Sequence, residues 1–364
     1  MAYKILVVNP GSTSTKIAVY EDDKALFTKN VEHDAAKIAD FPNIPAQTAF
    51  RVEYIEKAIE EAGVKQEELD CVMCRGGLVM KPAITSGGYV VNDDLYTALA
   101  DEELTSPHAS LLGGMIGKLF SDKLGIPAYI YDAVTAGELP EVATYTGYVD
   151  IKRKSTAHVL NGRAMGIKYA NLEGKNFEDM NIIAVHMGGG CSVAAYKKGV
   201  LVDSVGDDEL HISAERAGGA PILSFTKLCF SGKYDANEMK KLTRGNGGWK
   251  AHLGTSDGRE VEKRAAEGDA KAQMMMNVLS YTLAKSAGSM AGIFGEKVDA
   301  IILTGGLAYS KPITEELTRL LSPIAKVCVL PGENEMEALA AGGVRIMNGE
   351  EKAKTYTLPE GYKK

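Results

Sequence analysis

Ile5-Leu6-Val7-Val8-Asn9-Pro10-Gly11-Ser12-Thr13-Ser14-Thr15-Lys16-Ile17-Ala18-Val19-Tyr20 returns in the second half of the chain as Ile182-Ile183-Ala184-Val185-His186-Met187-Gly188-Gly189-Gly190-Cys191-Ser192-Val193-Ala194-Ala195-Tyr196. Each copy runs from an apolar, β-branched stretch through a short turn of small and hydroxyl residues into a second apolar stretch, which is the pattern of a β-hairpin. A turn of Gly, Ser and Thr offers backbone N–H groups that no bulky side chain screens, so a polyanion can come close. One such turn reads simply as a turn. Its duplication points to two phosphate loops that would grip an oligophosphate from both sides. A P-loop needs a second Gly before its Lys and a helix after it, and the dinucleotide fingerprint needs that helix too. After Lys16 the chain continues as strand, which excludes both.

At 364 residues the chain exceeds a single hydrophobic core, so two domains are expected. The charged stretch Glu173 to Asp179 precedes the second hairpin and predicts the boundary: residues 1–175 as the N-terminal half, 176–330 as the nucleotide-binding half, and 331–364 as a helix and tail. A net charge of −7 and a pI near 5.6 argue against a nucleic-acid surface. No apolar run reaches membrane length and the N-terminus enters a strand directly, so a cytoplasmic protein is expected. The five cysteines are an odd, scattered set, and Cys71 and Cys74 lie on a strand pattern that turns them to opposite faces, so they read as buried thiols. The six histidines lack metal-ligand spacing. Any metal should be a hard cation on oxygen ligands.

Strand and helix patterns alternate. Phe50 to Ala62 carries an amphipathic helix ended by Gly63; Tyr129-Ile130-Tyr131 and Val298 to Leu303 read as strands; Ala265 to Phe294 reads as one long helix with Met274-Met275-Met276 in its core face. Hairpins followed by alternating helix and strand in each half imply an α/β fold with a mixed sheet per domain.

The order of motifs resembles the acetate kinase family of carboxylate kinases, within the acetate and sugar kinase, chaperone and actin superfamily. The pieces are Asn9 to Lys16, Arg75-Gly76-Gly77-Leu78, His108-Ala109-Ser110-Leu111-Leu112-Gly113-Gly114, Tyr131-Asp132-Ala133, Arg153 to His158, His186 to Gly190, Glu215-Arg216-Ala217-Gly218, Gly254 to Arg259, Thr304-Gly305-Gly306 and Glu333 to Leu339. The resemblance implies a duplicated two-domain actin/hexokinase-like fold with the active site in the cleft between the halves. It also implies ATP-dependent phosphorylation of a short-chain carboxylate with Mg²⁺ as cofactor, in a homo-oligomer. A carboxylate is already ionised near neutral pH, so no strong base is required.

Residue by residue, the resemblance implies that Arg75 pairs with the substrate carboxylate, beside space cleared by Gly76 and Gly77. Arg216 and His158 contact the transferring phosphoryl group, and Asp132 orients an arginine and metal-bound water. Asn9 and Glu335 contact magnesium, with Glu337 as the neighbouring substitute. Ser12, Ser14 and Lys16 belong to the first phosphate loop, and His186, Gly188, Gly189 and Gly190 to the second. Asp257, Arg259, Gly305, Gly306 and the run to Ser310 fall on the nucleotide side. Two departures from the acetate kinase pattern, Gly189 in place of Asn and Ala157 in place of a Phe, together with the missing second His in the Arg75 motif, which reads Cys74-Arg75-Gly76-Gly77, point to the butyrate branch. Ala157 is expected to line the acyl pocket, with acetate, propionate and isobutyrate as alternative substrates. A non-metabolic actin-like or chaperone-like ATPase module is the rival reading.

Overall fold

Residues 2–362 are described by a computed structural model of the chain. Met1, Lys363 and Lys364, part of the expected terminal segments, lie outside the described residues. The chain forms two compact units, one taking it up to Gly137 and again from Asn334, the other comprising Glu138–Glu333.

In the first unit, β1 (Lys4–Pro10), β2 (Ser14–Glu21) and β3 (Lys24–Glu32) form an antiparallel meander. β4 (Cys71–Arg75) then adds parallel to β1, β5 (Gly88–Val90) lies near the far edge, and β6 (Ala128–Tyr131) adds parallel to β4. The short strand Lys354–Thr355 closes that edge. β1 is an interior strand between β4 and β2, and Ile5, Leu6, Val7 and Val8 are fully buried because helices cover both faces of the sheet there. Helix Leu111–Leu124 packs on β4 and β6, and helix Glu335–Met347 packs on β1 and β4.

The second unit repeats the plan. β7 (Asn181–Met187), β8 (Cys191–Lys197) and β9 (Val200–Gly206) form the meander, and β10 (Ala300–Thr304) and β11 (Lys326–Val329) add in parallel beside β7. Pro10 pairs with Thr15 and Met187 with Cys191, so both expected hairpins form and the second turn is the tighter one. Their third strands, β3 and β9, gave no signal in the hairpin pattern. Leu279, Leu283, Ile301, Leu303 and Trp249 belong to the core on one side of this sheet. Helix Val159–Leu172 packs on β7 and β10.

The division of the chain differs from the expected one at residue 175. Helix Val159–Leu172 buries Val159, Leu160, Met165 and Tyr169 and packs on the second sheet, and Phe177 inside the charged stretch is itself buried. The stretch is a turn within the second unit. The expected single helix from Ala265 to Phe294 is two, Gly258–Ala266 and Ala270–Ile293, because Gly268 is left-handed and the Asp269 carboxylate caps the N–H groups of Lys271 and Ala272. Met275 and Met276 are buried but Met274 is exposed. Cys71 and Cys74 are buried thiols, with burial pushing Cys71 up to about 12 and Cys74 up as well. Among the described residues no helix is long and apolar enough to cross a membrane.

Candidate active site

In the first unit β1, β4 and β6 run parallel, so their carboxyl ends fall together, the position where open α/β sheets bind ligands. Asn9 lies one residue before the end of β1, Arg75 ends β4, and Asp132 follows β6. Helix Glu335–Met347 aims its first turn at the same place. The Asn9 amide donates to Glu335 Oε2 at 2.7 Å, and Arg75 Nη1 donates to Asn9 Oδ1 at 3.3 Å and to Glu335 Oε2 at 3.4 Å. Arg75, Asn9 and Glu335, assigned to substrate and metal from sequence, are therefore one cluster. Asn334 precedes it in a left-handed conformation, which turns the chain into the helix. Glu337 is exposed; burial raises Tyr20 to about 12, and the Glu337 charge adds to that shift.

Asp132 is buried, adopts a left-handed φ of 40°, and accepts the Gly87 N–H at 2.6 Å. Such strain in a non-glycine residue gathers at functional sites. Lys16 is exposed and stands opposite Asn9 across the β1–β2 ladder, with Ser12 exposed in the turn and Ser14 half-buried. Gly76 and Gly77 do something other than clear room for a substrate. A Cβ on Gly76 would fall 2.5 Å from that of Ala133, and one on Gly77 2.6 Å from Leu111, so both serve close packing behind Arg75. His108, whose motif was noted without a role, is a neighbour of Arg75; partial burial and the guanidinium charge hold its imidazole below the ordinary range, and its Nδ1 lies 2.8 Å from Ser110 Oγ.

The second unit builds its own cluster. His158, at the N-terminus of helix Val159–Leu172, stacks on His186 with centroids 3.9 Å apart and planes 8° from parallel. Ser192 Oγ accepts the His158 backbone N–H at 3.0 Å and lies 2.9 Å from its Nδ1. A serine hydroxyl that donates to Nδ1 leaves the ring proton on Nε2. His186 is fixed through Nδ1 by Asn161 Oδ1 at 2.8 Å. Gly188, Gly189 and Gly190 form the turn, and the Gly189 carbonyl is held by Ser213 Oγ at 2.7 Å and the Glu215 N–H at 3.1 Å.

Arg216 is where sequence reading was incomplete. Its Nε lies 3.6 Å from Asp207 Oδ2, and Arg244 Nη2 lies 3.4 Å from the other Asp207 oxygen. Asp207 is buried, and desolvation pushes its carboxyl up against the pull of both arginines. Glu215 contacts Arg216 at 3.6 Å and accepts from Ser256 Oγ at 3.1 Å, joining the arginine to the nucleotide-side loop. Asp207, Arg244 and Glu215 stood beside recognised motifs, but only the tertiary fold shows that they converge.

Asp257 and Arg259 pair with each other and line an open pocket of about 800 Å³, with Gly188, Gly189, Gly306 and Ser310 on its walls. That volume is ordinary for a small-molecule site. Gly305 is left-handed, and a Cβ there would meet the Met187 carbonyl at 2.4 Å, so it sets the approach of β10 to the second turn. Ala157 is buried in the second unit at 2% exposure.

The family model described as the acetokinase family matches residues 152–322. "Probable butyrate kinase 2" of Caldanaerobacter subterraneus subsp. tengcongensis is 43% identical over 97% of this chain and 99% of that protein. Butyrate kinase 2 of Clostridium acetobutylicum is 41% identical over 98% of this chain and all of that protein. The chain belongs to the acetate kinase family. The family's fold is evident in solved structures: acetate kinase from Porphyromonas gingivalis superposes with a TM-score of 0.77 at 21% identity, covering 95% of this chain and 100% of that one. A propionate kinase from Francisella tularensis gives 0.74 at 19% identity, covering 93% and 98%. A ROK hexokinase from Thermus thermophilus shares the fold at a TM-score of 0.50 and 13% identity, over 95% of this chain and 100% of that one.

Proposed function

We propose that this member of the acetate kinase family transfers the γ-phosphoryl group of ATP directly and in line to a short-chain carboxylate, butanoate first, giving butanoyl phosphate and ADP. The observation that carries the reading is the cluster of Arg75, Asn9 and Glu335, which joins a carboxylate-binding fork to oxygen ligands for a hard cation. Relatives named butyrate kinases at 41–43% identity support butanoate over acetate, and so does the small Ala157 beside His158.

One carboxylate oxygen attacks Pγ, the bond from Pγ to the β–γ bridging oxygen breaks, and that oxygen leaves with ADP. No proton moves. Arg75 holds the attacking carboxylate in bidentate geometry. Arg216 and the Nε2–H of His158 meet charge that spreads over the phosphoryl oxygens in flight, and Asp207 and Glu215 keep the Arg216 guanidinium aimed. His186 and the turn Gly188 to Gly190, with Ser12, Ser14 and Lys16, cradle the phosphates. The 800 Å³ pocket holds the nucleoside between Asp257, Arg259 and Gly306.

Magnesium fits the residues present. Among the described residues no group of three His, Cys, Asp or Glu forms a closed metal cage. One carboxylate and one amide suit an ion that keeps waters and shares phosphate oxygens. Asn9 and Glu335 would hold it, and when bound with ATP it would neutralise β- and γ-phosphate charge.

The test is acyl phosphate formation, trapped as hydroxamate, from MgATP and straight-chain acids of two to six carbons plus isobutyrate. Butanoate should give the highest kcat/KM. ATP turnover without any acyl phosphate would overturn the reading in favour of a bare ATPase module.

A further inference from the structure

Arg51 is fully buried, on the helix Thr48–Glu61 that sequence reading treated as an ordinary amphipathic element. Its guanidinium is enclosed by the first phosphate loop. Nη1 donates to the carbonyls of Gly11 at 2.8 Å and Ser14 at 2.9 Å and to Thr15 Oγ1 at 3.2 Å, and Nη2 donates to the Ser12 carbonyl at 2.8 Å. Gln47 Oε1 holds the other edge of the fork, accepting from Nη2 at 2.9 Å and Nε at 3.3 Å. No carboxylate pairs with Arg51 among the described residues. A buried charge without an opposite charge is costly unless another anion compensates it.

The consequence for the loop is directional. The Gly11, Ser12 and Ser14 carbonyls are consumed inward on Arg51 and the Thr13 carbonyl accepts the His33 N–H, while the Ser12 and Thr13 N–H groups and the hydroxyls of Ser12, Thr13 and Ser14 make no hydrogen bond within the described residues. Successive outward N–H groups above a positive charge form an anion-binding concavity. We propose that Arg51 is a positioning residue for the nucleotide phosphates: it turns the first loop's donors outward and leaves beneath them a charge that a bound phosphate balances. This rests on the carboxylate kinase reading for the identity of the anion. Burial, which lowers Arg51 to about 10, is consistent with a cation held at a price that the phosphate offsets.

The experiment compares full-length wild type with Arg51→Lys and Gln47→Leu. Lysine keeps the charge but cannot span three carbonyls. In a folded Arg51→Lys protein the KM for ATP and the calorimetric Kd for the magnesium complex of a non-hydrolysable ATP analogue should both rise at least tenfold, while the carboxylate KM stays within twofold. An ATP-analogue Kd within twofold of wild type, despite a lowered melting temperature, would reduce Arg51 to a structural residue and overturn the proposal. If Arg51→Lys does not fold, Gln47→Leu decides, since it frees one edge of the fork and leaves the loop carbonyls intact: a Kd raised at least threefold supports the proposal and an unchanged one overturns it. Absence of acyl phosphate formation by wild type would sink the functional reading alone, because analogue binding is measured without turnover.

Discussion

Gly190→Ala is the sharpest probe of how the second loop positions Arg216. A Cβ built on Gly190 falls 2.8 Å from Asp207 Oδ2, with His158 Cε1 next at 3.9 Å. Ordinary contact begins near 3.4 Å, so the carboxylate has to retreat by about 0.6 Å, and overpacking of this kind costs about 1–3 kcal/mol. Asp207 cannot retreat alone, being buried between Arg216 at 3.6 Å and Arg244 at 3.4 Å. A misplacement of about 1 Å in a phosphoryl-contacting group is worth roughly a hundredfold in rate. Half of that displacement should lower kcat by about ten- to a hundredfold, with the carboxylate KM little changed, in steady-state hydroxamate kinetics. The decisive control is a double-mutant cycle. In an Asp207→Ala background the methyl meets no carboxylate, so adding Gly190→Ala should change kcat by less than about threefold. If Gly190→Ala is as damaging without Asp207 as with it, the steric route through Asp207 to Arg216 is wrong.

Arg216→Ala should cut kcat by about 10³–10⁵ while nucleotide binding stays nearly intact; an unchanged kcat with a raised KM would make it a ground-state binder instead. Ala157→Phe should penalise butanoate over acetate by about 1.6 kcal/mol, somewhat over tenfold in relative kcat/KM for two lost CH₂ contacts, and an unchanged ratio would remove Ala157 from the acyl pocket. His33 is buried against Thr15 Oγ1, and burial first, then the Arg51 charge, lowers its imidazole from 6.5 to about 4. Because the folded pKa lies below the unfolded one, the neutral ring's contribution is complete above about pH 6.5 and is lost as pH falls toward 4, a loss of about 3 kcal/mol. Melting curves of His33→Gln should fall less steeply than wild type over that window, and parallel curves would refute the assignment.

The duplicated hairpins were legible because two continuous apolar runs around a small-residue turn are a local pattern, and local patterns survive in the linear chain. Asn9, Arg75, Asp132, His158 and Arg216 were named as candidates because each lies in or beside a recognisable motif. Their roles came from the order of those motifs. The break at Gly268 was missed because alanine-rich helical propensity runs through both flanking segments, and the unit boundary was missed because a charged turn reads like a linker until Phe177 is seen buried beneath it.

What the sequence by itself determined is the repeated strand–turn–strand scaffold and the inventory of groups able to bind phosphate and carboxylate. Tertiary structure alone decided the partners of those groups. Glu335 meets Asn9 and Arg75 because a distant helix returns to the carboxyl ends of β1 and β4, and Asp207 meets two arginines because a loop folds back on the second turn. Arg51, one charge on a helix whose apolar face reads as routine, reaches the first loop only once that helix docks. Side-chain hydrogen bonds and ion pairs act over a few ångströms in space, whereas sequence patterns report neighbours along the chain, so groups brought together from far apart leave no periodic trace.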